Sequence, residues 1–96
     1  MDTGVSGQAA QKIGRKLAQV SADRQVIVVT HLAQVASFAK HHLLIAKGVR
    51  EERTFTTITP LNREQRVREL ARITGGEQIT KLALERAEEM LREAGN

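Results

Sequence analysis

The sequence contains no cysteine, tryptophan or tyrosine, and its only aromatic residues are Phe38 and Phe55. Without cysteine the chain has no disulfide, no thiolate nucleophile and no cysteine-ligated zinc site. Two isolated phenylalanines do not supply the aromatic surface on which single-stranded nucleic acids stack. No apolar run approaches the roughly 20 residues that span a bilayer, and the first residues lack a signal-peptide pattern. We therefore predict a cytoplasmic chain with no membrane contact and a core of aliphatic residues.

The 96 residues suffice for one small domain, and 41% hydrophobic with 27% charged residues is typical of a folded chain. The net charge of +4 is carried by the first half, because residues 49–96 contain equal numbers of basic and acidic side chains. Such an excess favours attraction to the phosphates of DNA or of a nucleotide. At this modest charge, a solvated helix face is the simpler interpretation. Charge alone does not decide between these interpretations.

The first half of the chain is predicted to form a helix, a strand and a second helix. Apolar residues at helical spacing predict a helix that is capped by Ser6 and ends near residue 21. Residues 25–30 are mostly β-branched and do not alternate with polar residues, which predicts a strand covered on both faces, as in a parallel sheet. A second amphipathic helix is predicted over residues 32–39, ending near the two adjacent histidines.

The second half of the chain is predicted to form a hairpin and two helices. Strands are expected over residues 42–47 and 53–59, with the turn at Gly48. Asn62 and Gln65 match a capping box, the following glycine pair at 75–76 ends that helix, and a last helix closes at Gly95. The order α-β-α-β-β-α-α indicates an α/β fold. Because a buried strand needs parallel neighbours that this sequence lacks, we expect a single partial domain over residues 1–96.

Thr30 and His31 stand where the predicted buried strand ends and the next helix begins. Ligands bind at the carboxyl ends of strands in open α/β sheets, and a histidine there can hydrogen-bond a phosphate oxygen. A histidine that only ends a strand is the alternative. The three histidines, His31, His41 and His42, do not predict a metal site, because adjacent residues of a strand point to opposite faces.

The helix after Pro60 carries four arginines interleaved with two glutamates. The arginines allow a DNA-facing ridge, whereas the glutamates favour a solvated face of mixed charge. The residues concerned are Arg63, Arg66, Arg68 and Arg72, with Glu64 and Glu69.

Four ordered segments carry a more specific signal: DTGVSG at 2–7, VTHLAQVA at 29–36, the histidine pair at 41–42, and RELARITGG at 68–76. Together they resemble the RecN family of SMC-like bacterial DNA repair ATPases, from Asp2 to about Leu91. The resemblance implies the C-terminal part of an ABC-type P-loop ATPase head. For the intact parent it implies ATP and magnesium as cofactors, a second ATPase head as homodimeric partner, a location at the nucleoid, and action on DNA in double-strand break repair and recombination.

The same resemblance implies roles for individual residues. His31 matches the switch histidine, which contacts the γ-phosphate of ATP and helps to place the attacking water. Asp2 matches the aspartate of the D-loop, which lies between two heads and couples their nucleotide sites. Thr3, Gly4 and Ser6 fall in that loop and are expected to shape it.

Other parts of such a head have no counterpart in these residues. The phosphate loop G-x-x-x-x-G-K-[ST] does not occur, and the acidic strand that holds magnesium would come immediately before Asp2. The resemblance therefore implies a C-terminal fragment that neither binds nor hydrolyses ATP alone. We expect it to self-associate through an exposed sheet edge at residues 25–30. The alternative is a free-standing basic module that binds DNA or a protein partner without catalysis.

Overall fold

The computed structural model describes residues 7–76 and 78–96. In these residues it contains four helices and one antiparallel pair of strands: α1 Gly7–Val20, α2 Ala33–Ala36, β1 Leu43–Arg50, β2 Arg53–Pro60, α3 Arg63–Gly75 and α4 Lys81–Glu93. No helix in this part of the chain is long and apolar enough to cross a membrane. The helix cap predicted at Ser6 lies outside the described residues.

The α1 helix packs against α2 through small side chains. Ala10 and Gly14 are buried on α1, and Val35 is buried on α2. Phe38, just after α2, lies directly on the backbone of α1, because a β-carbon at position 14 would clash with Cδ2 of the ring. The contact therefore depends on a glycine that the sequence pattern did not single out.

The α3 and α4 helices supply most of the core. Val67, Leu70 and Ala71 of α3 pack against Ala87 and Leu91 of α4. Ala33 of α2 completes this buried cluster, and partly buried apolar residues surround it. Helical spacing predicts an apolar stripe on α3, which is buried as expected, and one on α4, of which Ala87 and Leu91 are buried but Leu82 is 54% exposed.

Local hydrogen bonds set where α3 begins and ends. The Oδ1 atom of Asn62 accepts from the backbone N–H of Gln65 at 2.8 Å, and Gln65 Oε1 accepts from the backbone N–H of Asn62 at 2.9 Å. This is the predicted capping box, in which two otherwise unpaired donors are satisfied reciprocally. At the other end Gly76 adopts φ = 80°, a left-handed conformation that favours glycine.

The predicted hairpin is present, but its turn lies at Glu51 and Glu52 rather than at Gly48. Both glutamates have positive φ, at 52° and 63°, as a two-residue hairpin turn of type I′ requires. Gly48 lies within β1 opposite Phe55, and a β-carbon there would come within 2.6 Å of the ring Cζ. The predicted turn was wrong because this glycine makes room for a cross-strand ring.

Residues 25–30 do not form the predicted strand. A strand needs a hydrogen-bonded neighbour, and β1 and β2 pair only with each other within the described part. Ile27 and Val29 are consequently 82% and 84% exposed rather than buried. The described elements follow the order α-α-β-β-α-α, so the predicted order was wrong, and α2 is shorter than the helix predicted over 32–39. The parallel pairing expected for residues 25–30 is therefore not seen in the described residues, whose sheet is the antiparallel hairpin alone.

The helices pack in series, α1 on α2, α2 on α3, and α3 on α4. In the described residues the two strands have no comparable interface with any helix. The hairpin joins α3 through its open end, where the backbone N–H of Leu61 donates to the carbonyl of His42 at 2.9 Å. The helical part and the hairpin are thus separate regions with little shared core.

Candidate functional site

His31 lies in a sharp bend between the extended segment 25–30 and α2, and its side chain is exposed. The backbone N–H of Leu32 donates to Oγ1 of Thr30 at 3.0 Å, a side-chain turn that directs the chain into the helix. Ala33, the first residue of α2, is buried in the core. This histidine turn, residues 30–32, therefore connects an exposed imidazole to a buried helix within two residues.

Side chains from distant positions hold the other end of α2. Arg66 Nη2 donates to the carbonyl oxygens of Ala36 at 3.2 Å and of Ala39 at 2.5 Å. A longer contact of 3.4 Å joins it to the carbonyl of Ser37. Asn96 Nδ2 donates to the carbonyls of Ser37 at 2.8 Å and Ala39 at 3.2 Å. These acceptors belong to the last turn of a helix and the residues beyond it, where carbonyls lack partners within the helix.

Arg66 is only 7% exposed. Burial, together with the nearby positive charge of Arg63, lowers the pKa of Arg66. The guanidinium still carries its charge near neutral pH, because arginine does not lose its proton in proteins under these conditions. Both interpretations of the α3 arginines, a DNA-facing ridge and a solvated face, are wrong for this residue.

One feature of the sequence indicates that Arg66 is buried. Position 66 is four residues before Leu70 and therefore lies on the apolar stripe of α3. The carbonyls that it binds lie 27 to 30 positions earlier in the chain, so no local pattern indicated them.

Two other arginines of α3 form ion pairs, as a face of mixed charge predicts. Arg63 Nη2 lies 2.7 Å from Oε1 of Glu88 on α4, and Arg72 Nη2 lies 2.6 Å from Oε2 of Glu69. The hydrogen bond from Arg72 lowers the pKa of Glu69, and the same bond raises the pKa of Arg72. The Arg63–Glu88 pair is exposed and such pairs contribute little to stability, whereas the Glu69 side chain is only 11% exposed.

His42 lies close enough to Arg66 and Glu69 to feel both charges. Burial lowers the pKa of His42, Arg66 lowers it further, and Glu69 acts in the opposite direction. The Nδ1 atom is buried and has no hydrogen-bond partner within the described residues. A neutral imidazole suits these surroundings. Over residues 7–76 and 78–96, no cluster of three or more histidine, aspartate or glutamate side chains is arranged to hold a metal ion.

The predicted D-loop residues, Asp2, Thr3, Gly4 and Ser6, lie outside the described residues. Of the predicted site, the structure therefore places His31 alone. It also shows contacts to the end of α2 from Arg66, which the sequence placed in a possible DNA-facing ridge, and from Asn96, to which the sequence gave no role.

Comparison with known proteins identifies relatives of the chain. No family model matches it. It is 44% identical over 94 residues to the DNA repair protein RecN of Bacillus subtilis (strain 168), and 45% identical over 94 residues to RecN of Streptomyces coelicolor. The identity to RecN of Vibrio cholerae is 43% over 91 residues. These matches cover 95–98% of the chain. The chain belongs to the RecN family.

The resemblance to RecN, which rests on four sequence segments, is thus confirmed. The chain spans only 16% of the length of these RecN relatives. It corresponds to about one sixth of these relatives. Within this sixth, the histidine turn on its anchored helix is the candidate functional element.

Proposed function

We propose that this chain forms the C-terminal part of the ATP-binding head of a RecN-type ATPase that acts in DNA double-strand break repair and recombination. The RecN identity over nearly the whole chain is the observation that carries this proposal. The relatives are named as DNA repair proteins, which supports the biological setting. The exposed histidine at the start of a packed helix supports a role in contacting a ligand.

His31 acts in this proposal as the switch histidine. The imidazole is exposed, so it is accessible to the γ-phosphate of a nucleotide that the rest of the head binds. A ring nitrogen donates a hydrogen bond to that phosphate, while the Thr30 turn keeps the backbone of the histidine in place. Phosphoryl transfer depends mainly on positioning and charge stabilisation, which is what one well-placed side chain can contribute.

The loop of Asp2, Thr3, Gly4 and Ser6 serves as the D-loop, with Asp2 facing a second ATPase head. Magnesium, when bound, neutralises phosphate charge, and the residues of this chain do not include the acidic strand that would hold it. The sequence also lacks a phosphate loop. We therefore expect calorimetric titration of the isolated chain with Mg-ATP to show no binding. Micromolar affinity would contradict the view that the nucleotide site needs further RecN sequence.

The test of the switch role uses full-length Bacillus subtilis RecN in which this sequence replaces the segment that it matches. His31→Ala is expected to lower ATP turnover at least about tenfold while nucleotide binding is retained, because one transition-state contact is lost. His41→Ala is the matched control, since it removes another exposed histidine outside the turn. Turnover that is unchanged in the His31 variant would contradict the assignment.

A basic module that binds DNA without catalysis is the second candidate, and α1 is the feature that favours it. Lys12, Arg15 and Lys16 are exposed on one face of this helix, which contains no acidic residue. Such a face attracts phosphates. Binding through it weakens as the salt concentration rises, because the release of counterions from DNA then contributes less free energy. Salt-sensitive binding of duplex DNA by the isolated chain, abolished when all three residues are glutamine, supports this second function. It gains preference over the first if His31→Ala leaves ATP turnover unchanged.

A further inference from the structure

We propose that Arg66 is a positioning residue, which holds the histidine turn in place by fixing the far end of α2. The proposal rests on the proposed role of His31 in contacting nucleotide. Arg66 belongs to α3 and does not itself approach a ligand in this scheme. It acts through the backbone of residues 36–39.

The α2 helix does not hold itself in place. It is four residues long, and its N-cap residue, Leu32, makes no capping hydrogen bond through its side chain. A single helical turn is unstable by itself, because nucleation costs more than one turn of hydrogen bonds returns. Contacts with other elements must therefore determine where α2 lies.

Apolar packing only partly determines where α2 lies. Ala33 is buried against α3 and α4, and Ala36 is partly buried at the same cluster. Methyl groups cover little area, and hydrophobic contact is not directional. Alanine packing therefore attaches α2 to the α3–α4 core without a strong directional preference, while Phe38, just beyond α2, packs on Gly14 of α1.

Hydrogen bonds from Arg66 supply the direction that packing lacks. One guanidinium nitrogen reaches the carbonyls of Ala36, Ser37 and Ala39. Nη2 carries two N–H groups, which the three carbonyls share, so these acceptors must lie together around one nitrogen. Asn96 donates to two of the same carbonyls. The chain that leaves α2 is thereby held by two side chains.

Core packing alone does not explain an arginine at this position. Burying a charged group is unfavourable unless hydrogen bonds compensate it. A methionine at position 66 would fill the apolar stripe of α3 without that cost. All of the hydrogen bonds that the structure gives for the Arg66 side chain go to residues 36–39. The arginine is therefore suited to orienting that segment.

The link to His31 is short. The histidine precedes Ala33 by two residues, and the Thr30 turn joins it to the start of the helix. Because α2 is a single turn, a shift at its carbonyl end moves its first residue as well. Loosening residues 36–39 is thus expected to loosen the histidine turn.

Hydrogen exchange of the isolated chain, measured by mass spectrometry, tests this anchoring directly. Arg66→Met is expected to speed amide exchange over residues 32–39 at least about tenfold, with less than about threefold change over residues 87–91 of α4. The exchange rate over 32–39 in Arg66→Lys is expected to lie between that of Arg66→Met and that of the unsubstituted chain, because an ammonium keeps the charge but not the planar set of donors. Arg63→Met is the matched control on the same helix, since Arg63 pairs with Glu88 at the surface.

Two results would overturn the anchoring. One is unchanged exchange over 32–39 in a folded Arg66→Met variant. The other applies if Arg66→Met unfolds the whole chain, and it is unchanged exchange over 32–39 in an Asn96→Ala variant. Asn96→Ala removes the second donor to the same carbonyls and is expected to speed exchange over 32–39 by about threefold. No change in that variant would mean that the carbonyl contacts do not hold the segment.

The catalytic consequence is tested in the full-length RecN that carries this sequence. Arg66→Met is expected to lower kcat for ATP hydrolysis at least about fivefold per active site, with KM within about twofold, and Arg66→Lys to restore part of kcat. A raised KM with unchanged kcat would overturn the positioning role. If His31→Ala leaves turnover unchanged, the proposed function fails, whereas the exchange measurement still reports whether Arg66 anchors α2.

Discussion

The α3–α4 pair and the β1–β2 hairpin differ in what covers their apolar side chains. Leu70 and Leu91 of the helical pair are completely buried, whereas Leu43, Ile45 and Ile58 of the hairpin are 52–62% exposed. The helices are held together by a shared core. The hairpin is held mainly by its own ladder of backbone hydrogen bonds, and such two-stranded structures are marginally stable alone. Stability is therefore concentrated in the helices, and exposed apolar surface in the hairpin.

The largest expected effect on stability comes from truncating a buried leucine side chain of the helical pair. Leu70→Ala should lower the free energy of unfolding by about 3 kcal/mol, because it removes buried methyl groups and leaves a cavity. Leu43→Ala makes the same chemical change in the hairpin, where the side chain is 54% exposed, and should cost less than about 1 kcal/mol. Urea unfolding followed by circular dichroism measures both. Equal costs would mean that the two regions do not differ in the way described.

A smaller effect is expected at the cap of α3. Asn62→Ala removes the acceptor for the N–H of Gln65 and should lower the free energy of unfolding by about 1 kcal/mol. Asn62→Ser keeps an acceptor at the same position and should stay within about 0.5 kcal/mol of the unsubstituted chain. The same urea experiment provides the values. A serine variant as unstable as the alanine variant would show that the capping bond is not the cause.

The smallest effect on folding is expected where apolar residues are already exposed. Replacing Ile27 and Val29 together by lysine should change the free energy of unfolding by less than about 1 kcal/mol, since neither side chain is buried. The same change should reduce self-association measured by light scattering, because it removes an exposed apolar patch. Thr54 and Thr56 replaced together by lysine add the same charge in β2 and serve as the control. An equal loss of association in the control would point to net charge rather than to residues 25–30.

The sequence predicted the helices more accurately than the strands. The capping box and the apolar stripe of α3 are local patterns, and a helix makes its hydrogen bonds within one segment. A strand depends on a neighbour from any part of the protein. Residues 25–30 have the composition of a buried strand but no partner in the described residues. Gly48 was misplaced because its role depends on Phe55 across the ladder.

The candidate site was predicted only in part for the same physical reason. The histidine turn could be found because Thr30, His31 and the start of α2 are adjacent in sequence. Arg66 could not be assigned its partners, since its contacts join α3 to a segment about 30 residues earlier. The charge pattern favoured a solvated position, and only its spacing from Leu70 indicated burial.

The contact between Gly14 and Phe38 also determines how α1 is rotated about its own axis. Successive residues of a helix are about 100° apart, so turning α1 by one residue would bring Ile13 or Arg15 against the ring. Neither fits unless the ring moves, because even a β-carbon clashes with it at this position. The rotation of α1 that places its three basic residues is thus coupled to a residue that has neither charge nor side chain. A methyl group added at position 14 would force either the Phe38 ring or α1 to shift, without altering the number of charges.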